Sequence, residues 1–152
     1  DGVEYAIKNK IPRRVISVIA QHHGTSLMTY FYEKHKDLET IKTSNGNTAV
    51  VESHFRYQTK KPQTREAAIL MLADASEAAV RSIEDITPKK IEQMVDYIFN
   101  NKIKDGQLNE ANITLKEINI VKQSLIDGLI SIYHSRLTYP GQNLKAVGIV
   151  RQ

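Results

Sequence analysis

Residues 64–83 read Thr-Arg-Glu-Ala-Ala-Ile-Leu-Met-Leu-Ala-Asp-Ala-Ser-Glu-Ala-Ala-Val-Arg-Ser-Ile, and this stretch decides the fold. Ile69, Leu72, Ala73, Ser76 and Val80 recur at the spacing that lines one face of a helix with 3.6 residues per turn. Thr64 stands where a capping hydroxyl can take up an orphan backbone N–H, so a helix is expected from Arg65 to about Ile83. Its many alanines imply close packing. No convincing apolar–polar alternation of half-buried strands occurs anywhere in the chain, so the expected fold class is all-α.

Downstream, Thr87-Pro88 opens a second helix with Ile91, Met94, Val95 and Ile98 at core spacing, ended by Gly106. Thr114-Leu-Lys-Glu117 is a capping box, in which the threonine and glutamate side chains reciprocally satisfy backbone donors. It starts a last long helix that presents Ile118, Val121, Leu125, Leu129, Ile132 and Tyr133 on one side and stops before Pro140. Residues 141–152 read as a tail. Upstream, Val3, Ala6 and Ile7 make a short stripe that breaks at Asn9-Lys10, and Pro12 restarts a helix as its first residue. Val15, Ile16, Ile19 and Ala20 are the expected buried face of that helix, which runs into Gln21-His22-His23 and stops at Gly24. From Thr25 another helix, carrying Leu27, Met28, Phe31 and Tyr32, is expected to reach about Asp37. Residues 38–63 contain the turn signal Ser44-Asn45-Gly46-Asn47 and read as a long surface loop.

The 152 residues, 41% of them hydrophobic, suffice for one domain with a single core and not for two of ordinary size. Against 17 acidic residues stand 21 basic ones, a mild excess of +4 spread along the chain, which suits an ordinary solvated surface or an anionic ligand. The chain has no cysteine, which excludes disulfides, thiolate metal sites and a cysteine nucleophile. No apolar run approaches the roughly 18 residues a membrane span needs, so this segment is expected to be soluble. A start at Asp1 without methionine is expected of a piece of a longer protein.

Among the five histidines only His22 and His23 are adjacent. Within a helix their side chains would diverge by about 100° and could not easily share a metal, whereas at a helix end they can address two. The same pair also reads as one packed and one solvent-facing histidine. His35, His54 and His134 lack partners at ligand spacing and read as structural. Asp74 lies in a stretch nearly free of charge, where a carboxylate needs a cation or a partner. It also falls on one stripe with Glu77 and Arg81, so a solvated ion-paired stripe stays open. Two imidazoles and a carboxylate together suit a transition metal and would make half of a dinuclear site. The chain has no GxxxxGK[ST], GxSxG or HExxH motif.

Gln21-His22-His23-Gly24-Thr25 followed by Tyr30-Phe31-Tyr32 resembles a segment of the seven-transmembrane HD family of cyclic di-AMP phosphodiesterases. Phe55-Arg56-Tyr57, Lys61-Pro62-Gln63-Thr64-Arg65-Glu66, Leu72-Ala73-Asp74, Glu77 through Ser82, Asp105-Gly106-Gln107-Leu108, Thr114-Leu115 and Ile132 through Arg136 resemble the same family in the same order. The resemblance implies that residues 1–140 are the C-terminal portion of a helical HD domain, carried on the cytoplasmic face of a bacterial membrane by a polytopic parent protein. It implies hydrolysis of cyclic di-AMP to linear pApA by hydroxide activated between two metal ions, iron or manganese. By position the metal ligands carried over are His22, His23 and Asp74. The family's His-Asp pair and two further histidines are expected upstream of Asp1, since no His-Asp dipeptide occurs here. Lys61, Arg65 and Arg81 are candidate contacts to substrate phosphate, while no residue is assigned as catalytic and none reads adenine over guanine. The chain departs from the family at Tyr57-Gln58-Thr59-Lys60-Lys61, where Tyr-Pro-Gly-Pro-Lys is usual, and in a longer preceding loop. The alternative is a non-catalytic HD module that senses a nucleotide, and behind it a purely structural helical domain.

Overall fold

A computed structural model describes residues 2–29, 31–35 and 52–134 of the chain, with the side chain of His134 outside the description. In order come α1 (Gly2–Lys8), α2 (Arg13–Gln21), helical residues 31–35 (α3), a 3-10 turn (Glu52–Phe55), α4 (Arg65–Arg81), α5 (Pro88–Lys104) and α6 (Leu115–His134). No strand occurs among the described residues, only a single antiparallel bridge between Leu27 and Arg56. The all-α expectation is met. No helix among them is long and apolar enough to cross a membrane.

The helix ends follow from local chemistry. Thr64 caps α4 by accepting from the Ala67 N–H at 3.2 Å, and Thr87 caps α5 by accepting from Lys90 N–H at 3.3 Å, with Pro88 in the first turn. At α6 both halves of the capping box close, Thr114 N–H donating to Glu117 Oε2 at 2.8 Å and Glu117 N–H to Thr114 Oγ1 at 3.2 Å. Gly106 leaves α5 with φ of 64°, the left-handed conformation a glycine adopts without cost. Pro12 sits one position earlier than expected, as the residue capping α2 rather than inside it.

α4 is the central helix and packs against α2, α5 and α6. Ala68, Met71, Leu72 and Val80 of α4 meet Ile91, Val95 and Phe99 of α5 and Ile118, Ile126 and Leu129 of α6, with Leu108 closing the cluster. Leu72, Ser76 and Val80 are buried as expected, but Met71 takes the core place assigned to Ile69 and Ala73, which are half-buried. Phe99 is buried where Ile98 was expected, and Ile132 is 50% exposed. On α2, which packs against α1 and α4, no residue is fully buried and Val15 is 47% exposed.

The helix expected from Thr25 starts later. Thr25 belongs to a turn, and residues 26–28 are held in an extended pairing, Met28 N–H donating to Phe55 O at 2.7 Å and Tyr57 N–H to Ser26 O at 3.1 Å. Of the expected loop at 38–63, residues 38–51 lie outside the described ones. Residues 56–62 are non-helical, as expected, yet they do not lie free on the surface: Thr59 Oγ1 donates to Gly24 O and Pro62 is fully buried.

Candidate metal centre

α2 ends at Gln21, and the next four residues turn sharply. His22 N–H still donates to Val18 O at 3.0 Å and Gly24 N–H to Gln21 O at 2.9 Å, after which Gly24 takes φ of 57° and turns the chain away. His22 and His23 therefore stand on a turn and not on regular helix, so the 100° divergence does not separate them: their ring centroids are 3.9 Å apart. One ligand atom from each, with a carboxylate oxygen of Asp74 on α4, lies within 4.8 Å of the others. Two donors directly across one ion, with bonds of about 2.1 Å, stand about 4.2 Å apart. The three groups thus converge on the scale of a metal, a little open for a single ion. Two imidazoles and a carboxylate are a donor set that transition metals accept.

The rings are held by what surrounds them. His22 Nδ1 faces the Ile19 carbonyl at 2.8 Å, and because a carbonyl only accepts, the proton belongs on Nδ1 and Nε2 is left to ligate. The His23 ring stacks on Tyr57 with centroids 4.5 Å apart and planes 14° from parallel. Burial, then the neighbouring His22, and also Lys102, lower the His23 pKa against the opposing pull of Asp74. A lowered value favours the neutral imidazole, the form that binds a metal. Asp74 itself is exposed, so its setting in an apolar stretch does not mean that a charge is buried.

Residues distant in sequence fasten this turn. Gln107, fully buried, accepts through Oε1 from Thr25 N–H at 3.0 Å and donates through Nε2 to Thr25 Oγ1 at 3.0 Å and Asp105 Oδ2 at 2.8 Å. Arg56 bridges Thr25 O at 2.9 Å and both oxygens of Asp105 at 2.9 and 3.0 Å. Lys102 donates to the buried Ser26 Oγ at 2.6 Å, and Ser26 N–H donates to His23 O at 3.3 Å. Sequence reasoning gave none of these residues a role, although Phe55-Arg56-Tyr57 and Asp105-Gly106-Gln107 were visible as motifs. Their partners are 31 and 82 positions away, and no local pattern records that.

The three expected phosphate contacts are spread from the segment before α4 to the last turn of that helix. Arg65 is at the start of α4, paired with Glu117 Oε1 at 3.1 Å and donating to Asn112 O at 3.3 Å. Nine residues separate it from Asp74, a half-integral number of turns that places it on the opposite side of the helix. Arg81 shares the Asp74 face about 10 Å further along, and pairs with Glu77 at 3.4 Å, so the ion pair on this stripe is Glu77 with Arg81. Lys61 lies beside Gly106 at the end of α5. Of the histidines read as structural, His35 packs edge-on against Phe55 at 5.1 Å, and His54 is exposed.

No family model matches the chain. It is 42% identical over 140 residues to "Cyclic-di-AMP phosphodiesterase PgpH" of Listeria monocytogenes, covering 92% of this chain and 18% of that protein. To the Bacillus subtilis protein of the same name it is 39% identical over 140 residues, covering 19% of that protein. The crystal structure of the L. monocytogenes PgpH HD domain in complex with cyclic-di-AMP superposes with a TM-score of 0.77 at 40% identity, over 87% of this chain and 58% of that one. The chain thus spans about a fifth of these relatives and rather more than half of the solved domain.

Proposed function

We propose that the chain belongs to the HD-domain family of cyclic di-AMP phosphodiesterases and is the C-terminal portion of a domain that hydrolyses cyclic di-AMP to linear pApA. The observation that carries this is the convergence of His22, His23 and Asp74 within 4.8 Å in a fold shared with a domain solved in complex with that nucleotide. HD phosphodiesterases are metal-dependent. On this reading His22 through Nε2, His23 and Asp74 hold part of a pair of iron or manganese ions, and upstream histidines and an aspartate complete the shell. Such ions supply a Lewis acid and a nucleophile at neutral pH.

The chain's own residues do the holding. The Ile19 carbonyl fixes the tautomer of His22, burial and the neighbouring His22 favour the neutral form of His23, and Tyr57 covers one face of its ring. Of the three cations Lys61, Arg65 and Arg81, Arg81 is the one on the Asp74 side of α4, from which it would meet a phosphate oxygen. Lys61 would reach one from the end of α5, and Arg65 only on release from Glu117. Residues 1–140 are assigned to the domain and 141–152 to a tail, with the whole on the cytoplasmic face of the membrane as part of a larger protein.

Metal content and cyclic di-AMP hydrolysis, measured on this chain and on the parent protein, test the reading. Two metals and pApA release from the parent, both lost in His23→Ala and Asp74→Ala, are expected. A parent protein that is metal-free and inactive, yet binds a nucleotide, would establish a sensing module instead.

A further inference from the structure

Arg56 stands where the three segments around the histidines meet. Its Nε donates to Glu52 Oε1 at 3.0 Å; one terminal nitrogen donates to Glu52 Oε1 at 2.6 Å and Asp105 Oδ1 at 2.9 Å, and the other to Thr25 O at 2.9 Å and Asp105 Oδ2 at 3.0 Å. A guanidinium has five N–H groups, and here five bonds use them, so none is left over for a ligand. Arg56 also bridges to Leu27, while its neighbour Tyr57 stacks on His23 at 4.5 Å. One side chain therefore fixes the carbonyl two residues beyond His23 and the segment that brings an aromatic ring onto His23.

We propose that Arg56 is a positioning residue that sets the orientation of the His22–His23 pair, and that it does so without touching metal or substrate. The proposal rests on the reading of those histidines as metal ligands. A lysine would keep the charge, but a single ammonium cannot reproduce a planar fork that spans Glu52, Asp105 and Thr25 O together. Losing a partner that orients a ligand typically lowers metal affinity 10- to 100-fold.

The test compares the unsubstituted protein with Arg56→Lys, Arg56→Ala and, as a control for general destabilisation at a helix cap that bonds neither histidine, Thr114→Ala. Manganese(II) affinity is measured by calorimetry, and the imidazole nitrogens are followed by NMR in the metal-free protein. In both Arg56 variants affinity is expected to fall about 10- to 100-fold. His23 should then lose its ring-current shift from Tyr57, whereas Thr114→Ala keeps that signature. Unchanged rings and affinity in Arg56→Lys overturn the proposal even if Arg56→Ala does not fold. If the unsubstituted protein binds no manganese while the rings still respond to Arg56, the ligand reading fails and the positioning role stands.

Discussion

Gly24 is the residue on which the histidine turn depends twice over. It holds φ of 57°, and a Cβ built on it would lie 2.5 Å from Gln107 Oε1 and 2.6 Å from the Met71 terminal methyl. The methionine end can swing aside, but the glutamine is tied to Thr25 and Asp105, so it cannot retreat without breaking those bonds. Gly24→Ala is expected to cost about 1–3 kcal/mol in urea denaturation through strain and displacement; a loss below about 0.5 kcal/mol would mean that the turn relaxes freely. Ser76 makes the opposite case. Its hydroxyl is fully buried and, among the described residues, has no hydrogen-bond partner. Removing an unsatisfied buried hydroxyl should stabilise the fold, so Ser76→Ala is expected to gain about 1 kcal/mol, and a loss of that size would reveal a bonded hydroxyl. Sequence placed Gly24 as a stop and Ser76 on the core face. It could not show that the missing side chain of the first makes room for a residue 83 positions on.

Among the helices, what was legible is what is local. Thr64, Thr87 and the Thr114–Glu117 box announced three helix starts, because a cap and its backbone partner lie within three residues. Thr114→Ala is expected to cost about 0.5–2 kcal/mol, read as a shift in the denaturation midpoint with unchanged slope. A cost near zero would mean that packing of Ile118 and Ile126 alone holds that end. The misplaced residues share a cause. Residues 26–28 have helical spacing, yet pairing with Phe55 and Tyr57 overrides it, and that partner is about thirty residues distant. Phe99 in place of Ile98, and Ile132 left half in solvent, record which side of each helix meets α4, a matter of packing angle that periodicity leaves undetermined. His22, His23 and Asp74 were singled out through resemblance, whereas their closeness had to await the fold.

For the molecule as a whole, Asp105 links the end of α5 to the histidine turn and makes stability depend on acidity. Burial works against its carboxylate, but hydrogen bonds from Arg56 and Gln107, with the charges of Arg56 and Lys102, outweigh this and hold its pKa below the usual value. A carboxyl with a lower pKa folded than unfolded stabilises the fold above the unfolded value, and that contribution is lost as pH falls through the folded one. Stability is therefore expected to begin falling near pH 4, the ordinary aspartate range, and to go on falling below it. Asp105→Asn should remove that part of the decline; an unaltered acid profile in the variant would show that other carboxylates set it. The span from Thr25 to Gln107 has a further meaning, in time. In zinc fingers the ion organises the chain, whereas here the chain must first close an interval of 82 residues before the histidine turn is complete. Synthesis runs from the N-terminus, so His22, His23 and Asp74 all leave the ribosome before Lys102, Asp105 and Gln107, which fasten the turn from its far side. On the metal-site reading, a nascent chain carries His22, His23 and Asp74 on an unfinished turn until Gln107 follows, which would make tight capture of an ion one of the last events of folding.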